Sequence, residues 1–475
     1  MKYSKTGFLV KNAGILTIGN FASKILVFLL VPLYTNVLST AEYGTYDLAV
    51  STATLLYPIL TLNIADGIMR FFMDRTYDHK DIASLGFRYI CVSTALFGGG
   101  MLLLSRLNLW PDIHGLEQYV FLYYLSYTFQ QYLLQIAKGL EQVKDIAVSG
   151  VISTVIMLAT NITFLLVFRW GLPGFFLANI LSQLLAALYL MLRVKLPRLL
   201  DLRKKNPALT KAILLYCTPL IANTLGWWVN GTADKYTVAI LCGMAANGLL
   251  SVAYKIPQII HVLQNIFIQA WQISAIKEYG DKDTAVFYGR TFTVINLLMC
   301  IACAFLIILT KPLAAILYAK DFYTAWQYVP FLIISIVLNC ASGLLGPMLS
   351  AKRNSKAMMW SAIYGALANI VLNILLVYLI GIQGATIATV ISSYVIYAAR
   401  KRAVGSDVFI ADYQNVYFTW LLICAQAVIE IYTPFWYAEI AIILLIFLVN
   451  FREIKKDILL VLGLLRSRKE KGASQ

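Results

Sequence analysis

The chain has 475 residues, 60% of them hydrophobic and 13% charged, with a formal net charge of +16. Soluble domains carry roughly 25% charged residues, so this composition excludes a water-soluble globule and calls for a bilayer. The positive charge does not mark a nucleic-acid partner, because the Lys and Arg residues sit in short breaks between long apolar runs.

A membrane-crossing helix needs about 20 mostly apolar residues. Fourteen such runs follow one another: 12–38, 46–69, 83–105, 118–138, 146–168, 173–194, 212–238, 248–274, 289–309, 325–350, 357–379, 383–399, 413–431 and 434–450. The first is longer than a signal-peptide core of about 7–15 residues and closes on no small-residue cleavage site, so it reads as a retained helix. Only a glycine turn parts 357–379 from 383–399, which leaves counts of thirteen and fifteen open. The basic residues test the count. With the N-terminus inside, the inside segments hold 32 Lys and Arg and the outside segments 4, while Lys24, Lys235 and Lys255 fall within spans. That asymmetry is the positive-inside pattern and predicts an even number of spans with both termini cytoplasmic.

Cys91, Cys217, Cys242, Cys300, Cys303, Cys340 and Cys424 lie mostly within apolar runs, where a thiol behaves as a small hydrophobe. Cys300 and Cys303 form a C-x-x-C in mid-span without a second pair, so neither a metal site nor a disulfide framework is expected.

Two internal matches point to a tandem repeat. Ala41–Ala49 (AEYGTYDLA) aligns with Ala245–Ala253 (AANGLLSVA), and Leu165–Gly174 (LLVFRWGLPG) aligns with Leu375–Gly384 (LLVYLIGIQG). The offsets, 204 and 210, nearly agree. The first match joins spans 1–2 to 7–8 and the second joins 5–6 to 11–12, so the repeat is six helices. An even repeat enters the membrane twice in the same orientation, which predicts a pseudo-twofold axis along the membrane normal and a central chamber. The expected organisation is an N-terminal lobe over 1–205, a C-terminal lobe over 206–405, two further helices over 406–452 and a basic cytoplasmic tail over 453–475.

Polar stripes inside spans face protein or water rather than lipid. At the helical period, Ser251, Tyr254, Gln258, His261, Asn265, Gln269 and Gln272 share an arc of ~80° on span 8, flanked by Lys255. Tyr216, Asn223, Trp227, Asn230, Asp234 and Thr237 share a face of span 7. Thr17, Asn20, Lys24 and Thr35 do so on span 1, and Asp47, Ser51, Thr54 and Thr61 on span 2. Lys24 either pairs with Asp234 or contacts substrate, and Lys255, on a stripe without an acid, is read as a substrate contact. His261 reads as a lining residue rather than a proton carrier. Asp47 is placed near the outer end of span 2 and Glu430 near the outer boundary. Asp66 and Arg70, spaced i, i+4 near the inner end of span 2, read as a helix-surface pair at the cytoplasmic gate. No metalloprotease, P-loop or nucleophile-elbow motif is present, so neither an enzyme nor ATP-driven transport is indicated, and no cofactor or metal is expected.

Several ordered segments carry a family resemblance. They are Lys24–Tyr34 (KILVFLLVPLY), Leu38–Tyr46 (LSTAEYGTY), Gly67–Phe72 (GIMRFF), Pro219–Asn230 (PLIANTLGWWVN), Ala233–Tyr236 (ADKY) and Gly248–Pro257 (GLLSVAYKIP). In order and spacing the chain resembles Wzx-type polysaccharide flippases of the multidrug/oligosaccharidyl-lipid/polysaccharide exporter superfamily, along nearly its whole length. The resemblance implies an all-α, MATE-like membrane fold of two six-helix lobes with two extra C-terminal helices, working by alternating access. It implies an undecaprenyl-diphosphate-linked oligosaccharide as substrate, a bacterial plasma-membrane location, and polysaccharide polymerase and glycosyltransferases as partners. Lys24 and Lys255 then fall on the helices whose cations hold the diphosphate in related lipid II flippases. As lysines they are expected to act as point charges rather than bidentate clamps. Asn20, Asn223, Trp227, Asn230, Gln258, His261, Asn265 and Gln269 would meet the sugars, and Asp234 or Asp47 would couple an ion. The alternatives are a cation-coupled multidrug antiporter of the same fold and a membrane polysaccharide polymerase or ligase.

Overall fold

A computed structural model describes residues 28–455 apart from 75, 204–205, 278–283, 353 and 406–412. Asn20 and Lys24 lie outside the described residues, as do the side chains of Asn223, Trp227, Asn230 and Gln269. Among the described residues the chain is helical without strands. The helices, numbered here in order, are α1 (Val31–Val37), α2 (Thr40–Leu60), α3 (Ile64–Phe72), α4 (His79–Leu107), α5 (Glu117–Gly139), α6 (Val143–Asn161, continued by a π-helical turn Ile162–Val167) and α7 (Gly171–Arg193). They continue with α8 (Pro207–Cys242), α9 (Met244–Ala253), α10 (Lys255–Lys277), α11 (Thr284–Ile308), α12 (Thr310–Leu317), α13 (Val329–Ala351), α14 (Ser355–Ile380), α15 (Ile382–Val404), α16 (Tyr413–Tyr432) and α17 (Trp436–Val449).

Each sequence span from the second to the fourteenth falls on a helix or a helix pair. Nine described helices are by themselves long and apolar enough to cross a membrane, or ten when α2 and α3 count as one bent span. The difference from fourteen has local causes. Most of span 1 lies outside the described residues, span 8 is split at Tyr254 into α9 and α10, α17 is short, and α5 carries tyrosines and glutamines through its middle.

The chain packs as two compact units. Among the described residues, one holds 28–252 together with Leu317–Phe322, and the other holds Ala253–Ile316 and 323–455. This division by packing cuts α9 from α10, whereas the repeat begins its second copy before α8.

In the first unit, Ser39 opens α2 with a capping box: its hydroxyl accepts from the Glu42 N–H at 3.2 Å while the Glu42 carboxylate accepts from the Ser39 N–H at 2.8 Å. Two orphan donors are thereby satisfied at one helix start. The α2–α3 span bends by 58° at Leu62 and Asn63, which take left-handed φ values of 51° and 53°. Asn63 tolerates that region through its short polar side chain. Below the bend, Ile64, Ile68 and Phe72 pack with Ile82, Leu133, Ile136, Leu190, Leu209 and Ile213 into a buried apolar core. The Tyr132 hydroxyl crosses that core to the Ala83 carbonyl at 2.8 Å.

In the second unit α13 is the central helix, buried along most of its length. α14 and α15 form a close hairpin about Gly381, whose φ is +64°. Gly171, its counterpart in the internal alignment, has φ +56°, so both aligned glycines take a positive φ, which favours glycine.

Candidate functional site

The polar stripes mark two places, one in each unit. In the first unit the equivalent ends of the two repeats cross. A Cβ on Gly44 would lie 1.9 Å from the Met244 carbonyl oxygen, and one on Gly248 would lie 1.9 Å from the Thr40 carbonyl oxygen. Only glycine lets the backbones of α2 and α9 come so near. Beside the crossing the Asn247 amide donates to the Gly44 carbonyl at 2.8 Å. One turn further, the Asp47 carboxylate accepts from Ser251 Oγ at 2.8 Å and from Lys235 Nζ at 2.9 and 3.0 Å. Lys235 and Asp47 are 17% and 16% exposed, so the pair is largely desolvated and stronger than a surface pair. Thr52 and Tyr236 hydroxyls meet at 2.7 Å one turn beyond. Stacked Tyr34 and Tyr43, with Phe175 and Phe322 against them, pack round the same crossing.

Asp47, a candidate for ion coupling, is thus the acceptor of a lysine and a serine. Asp234 is buried, and its Oδ1 accepts from the Lys235 N–H at 2.9 Å. The lysine between these two acids was legible as an intramembrane charge, but its partner was not, because Asp47 lies 188 residues away.

Asp66 and Arg70 do not pair as expected. One Asp66 oxygen accepts from Gln135 Nε2 at 3.0 Å and the other from Asn63 Nδ2 at 3.1 Å. The bend at Asn63 turns the carboxylate toward α5, while Arg70 is exposed at the far end of α3. Asp74, in the loop beyond, is held below the ordinary carboxylate range chiefly by the Thr76 hydroxyl at 2.6 Å, with the Thr76 N–H and the Arg70 charge adding to it.

In the second unit α10 turns a polar face outward. Its apolar Ile256, Pro257, Ile260 and Val262 are packed inward, and Gln258, His261, Asn265 and Gln272 are exposed, while Leu263 is half exposed on another side of the helix and Gln264 is buried. Lys255 is half-buried at the head of this face. Asn265 Nδ2 and His261 Nδ1 lie 3.1 Å apart. Amides and an imidazole turned out of the protein cannot be left in hydrocarbon, so this face meets water or a polar ligand. Four of the residues expected to line a chamber therefore share one open face: Lys255, Gln258, His261 and Asn265.

A helical membrane chain with bent and broken spans, repeat-related contacts and a polar open helix face is the architecture of a transporter. The family described as "Polysaccharide biosynthesis protein" matches residues 9–272, and the chain belongs to it. No curated protein matches. Among solved structures, "Lipid II flippase MurJ, inward closed conformation" superposes with a TM-score of 0.69 at 14% identity, over 94% of this chain and 100% of that one. An inward-facing multidrug resistance MATE family transporter of the MOP superfamily gives 0.65 at 13% identity, over 82% of this chain and 94% of that one. A MOP superfamily transporter from Pyrococcus furiosus Vc1 (DSM3638), described as having a binding pocket of reverse polarity, gives 0.57 at 13% identity over 83% and 95%. The fold is that of MOP/MATE-type transporters.

Proposed function

We propose that this protein is a flippase that carries undecaprenyl-diphosphate-linked oligosaccharide units across the bacterial plasma membrane for surface polysaccharide synthesis. The observation that carries the reading is the open polar face of α10, set in a chain of the polysaccharide biosynthesis family. An amide-rich face headed by a lysine suits a neutral sugar joined to an anionic diphosphate, and suits an organic cation poorly. The full-length likeness to a lipid II flippase is in keeping with a lipid-linked cargo.

In this reading Lys24 and Lys255 hold the diphosphate. Asn20, Asn223, Trp227, Asn230, Gln258, His261, Asn265 and Gln269 meet the sugars, and the polyprenyl tail stays in lipid. Asp234 couples an ion, and the basic segments lie in the cytoplasm. The Gly44/Gly248 crossing with its Asp47–Lys235 pair closes the outer end, and the gate below the α2–α3 bend faces inward.

The test is Lys24→Ala combined with Lys255→Ala in cells that depend on this protein for surface polysaccharide. A hydrogen bond to a charged group contributes about 1.5–3 kcal/mol, so export should fall about tenfold or more while the protein still inserts. Full export by the double variant would sink the diphosphate assignment. Drug efflux with intact polysaccharide in a deletion strain would sink the flippase reading itself.

A further inference from the structure

The second unit contains a charged cluster that the chamber does not use. Glu430, in the last turn of α16, and Glu439, in the first turn of α17, are 3% and 2% exposed. Among the described residues, each keeps one buried carboxyl oxygen without a hydrogen-bond partner, Oε1 of Glu430 and Oε2 of Glu439. Lys311, near the start of α12, donates to the Glu430 backbone carbonyl at 2.7 Å and stands 3.5 Å from its Oε2. The lysine is 35% exposed and lies over the Trp326 ring at 4.6 Å. Lys311 and Glu439 are the charged groups that act on Glu430. Of the other helices packed on α16, α13 brings only the Cys340 thiol. α11 brings Cys300 and Cys303, with Tyr288 and Arg290 several turns away at its opposite end.

Two features favour a proton on this cluster. Two carboxylates against one ammonium would leave a net negative charge buried, which is costly unless neutralised. Buried acceptors are also left over among the described residues: Glu430 Oε1, Glu439 Oε2 and, one turn below on the same face of α16, Gln426 Oε1. The Gln426 amide nitrogen is already spent on the Ala304 carbonyl at 2.9 Å, and Gln426 itself is fully buried. A donor that also brings one positive charge would answer both features. A metal ion would stand beside the lysine ammonium, whereas a proton between the carboxyls supplies both the charge and the donor.

We propose that Glu430 and Glu439 form a proton-binding site that shares one proton, with Lys311 as its counter-charge. The site lies on the two helices outside the six-helix repeats and does not depend on which substrate the protein carries. Lys311, 35% exposed, carries it to the protein surface. The α16–α17 turn beside it carries exposed Phe435, Trp436 and Tyr437, the kind of aromatic belt found at a membrane boundary. Losing the proton sets two carboxylates against each other where α16 and α17 meet, so occupancy is tied to the closure of that helix pair.

Infrared spectroscopy of the purified full-length protein in nanodiscs at neutral pH, in the C=O region of protonated carboxyls, reads the site directly. Variant-minus-wild-type spectra isolate it from other acids. Glu430→Gln and Glu439→Gln should each lose one protonated carboxyl, because the remaining glutamate then pairs with Lys311 as an ion. Lys311→Met should gain one. Unchanged spectra in both glutamine variants would overturn the proposal. So would a protonated carboxyl that appears in the wild type only when sodium and potassium are withdrawn, the signature of a bound metal cation. Glutamine reproduces the shape of a protonated carboxyl, so failure of both glutamine variants to fold would also count against it.

Discussion

Asp47 and Ser251, equivalent positions in the internal alignment, are hydrogen-bonded to each other at 2.8 Å. Gly44 and Gly248, equivalent in the same alignment, touch backbone to backbone. The two aligned segments thus meet through equivalent residues within the first unit. Lys235 adds an ion pair to the Asp47 side of that contact. The equivalent positions therefore carry unequal charge where they touch.

That asymmetry is testable. Asp47→Asn or Lys235→Met alone leaves a desolvated charge without its partner and should destabilise the protein by roughly 3 kcal/mol. The double variant should recover most of the loss. Thermal unfolding of the four proteins in one detergent measures it, and additive single effects would show that the pair contributes no coupling.

The glycine crossing makes a sharper demand. Gly44→Ala or Gly248→Ala puts a methyl within 1.9 Å of a helix carbonyl, and backbone cannot swing aside as a flexible side chain does. Each variant should open this end of the first unit. The expected outcome is loss of disulfide cross-linking between cysteines placed at 47 and 251, whose native side chains are in hydrogen-bond contact, with normal membrane insertion. Wild-type cross-linking in Gly248→Ala would contradict the close approach.

At the α2–α3 bend, Asp66 should matter and Arg70 should not. Asp66→Ala strands the Gln135 and Asn63 amides in a partly buried setting, a loss of about 1–3 kcal/mol. Arg70→Ala, at an exposed position, should stay within about 0.5 kcal/mol of wild type. Equal destabilisation by the two would restore the i, i+4 pairing that sequence spacing suggested.

The contrast between these residues shows what the sequence could carry. Span positions were legible because hydropathy is summed over some 20 residues, and local errors average out. The repeat was legible because glycines at a crossing cannot drift, and Gly44 and Gly171 have counterparts at Gly248 and Gly381. Partners of single charges were not legible. Asp66 and Arg70 have the right spacing for a pair, but a left-handed Asn63 and a glutamine 69 residues on take the carboxylate instead. Glu430 and Glu439 sit on separate helices, and only the Thr433–Phe435 turn brings them together. Nothing local predicts that Lys311 meets them.

The α10 face carries the functional reading, so its exposure to water needs its own test. Single cysteines at Gln258, His261, Asn265 and Leu263, in a protein whose seven native cysteines are replaced, separate two environments on one helix. Gln258, His261 and Asn265 lie within ~60° of one another, whereas Leu263, half exposed, points more than ~100° from the nearest of them. A water-soluble maleimide reacts with the thiolate, which forms in water and is suppressed in hydrocarbon. Positions 258, 261 and 265 should therefore label at least about tenfold faster than 263. Uniform labelling would mean that the whole helix surface is wet. Uniform protection would mean that amides and imidazole are covered by protein in the membrane, and the chamber would have to be sought elsewhere.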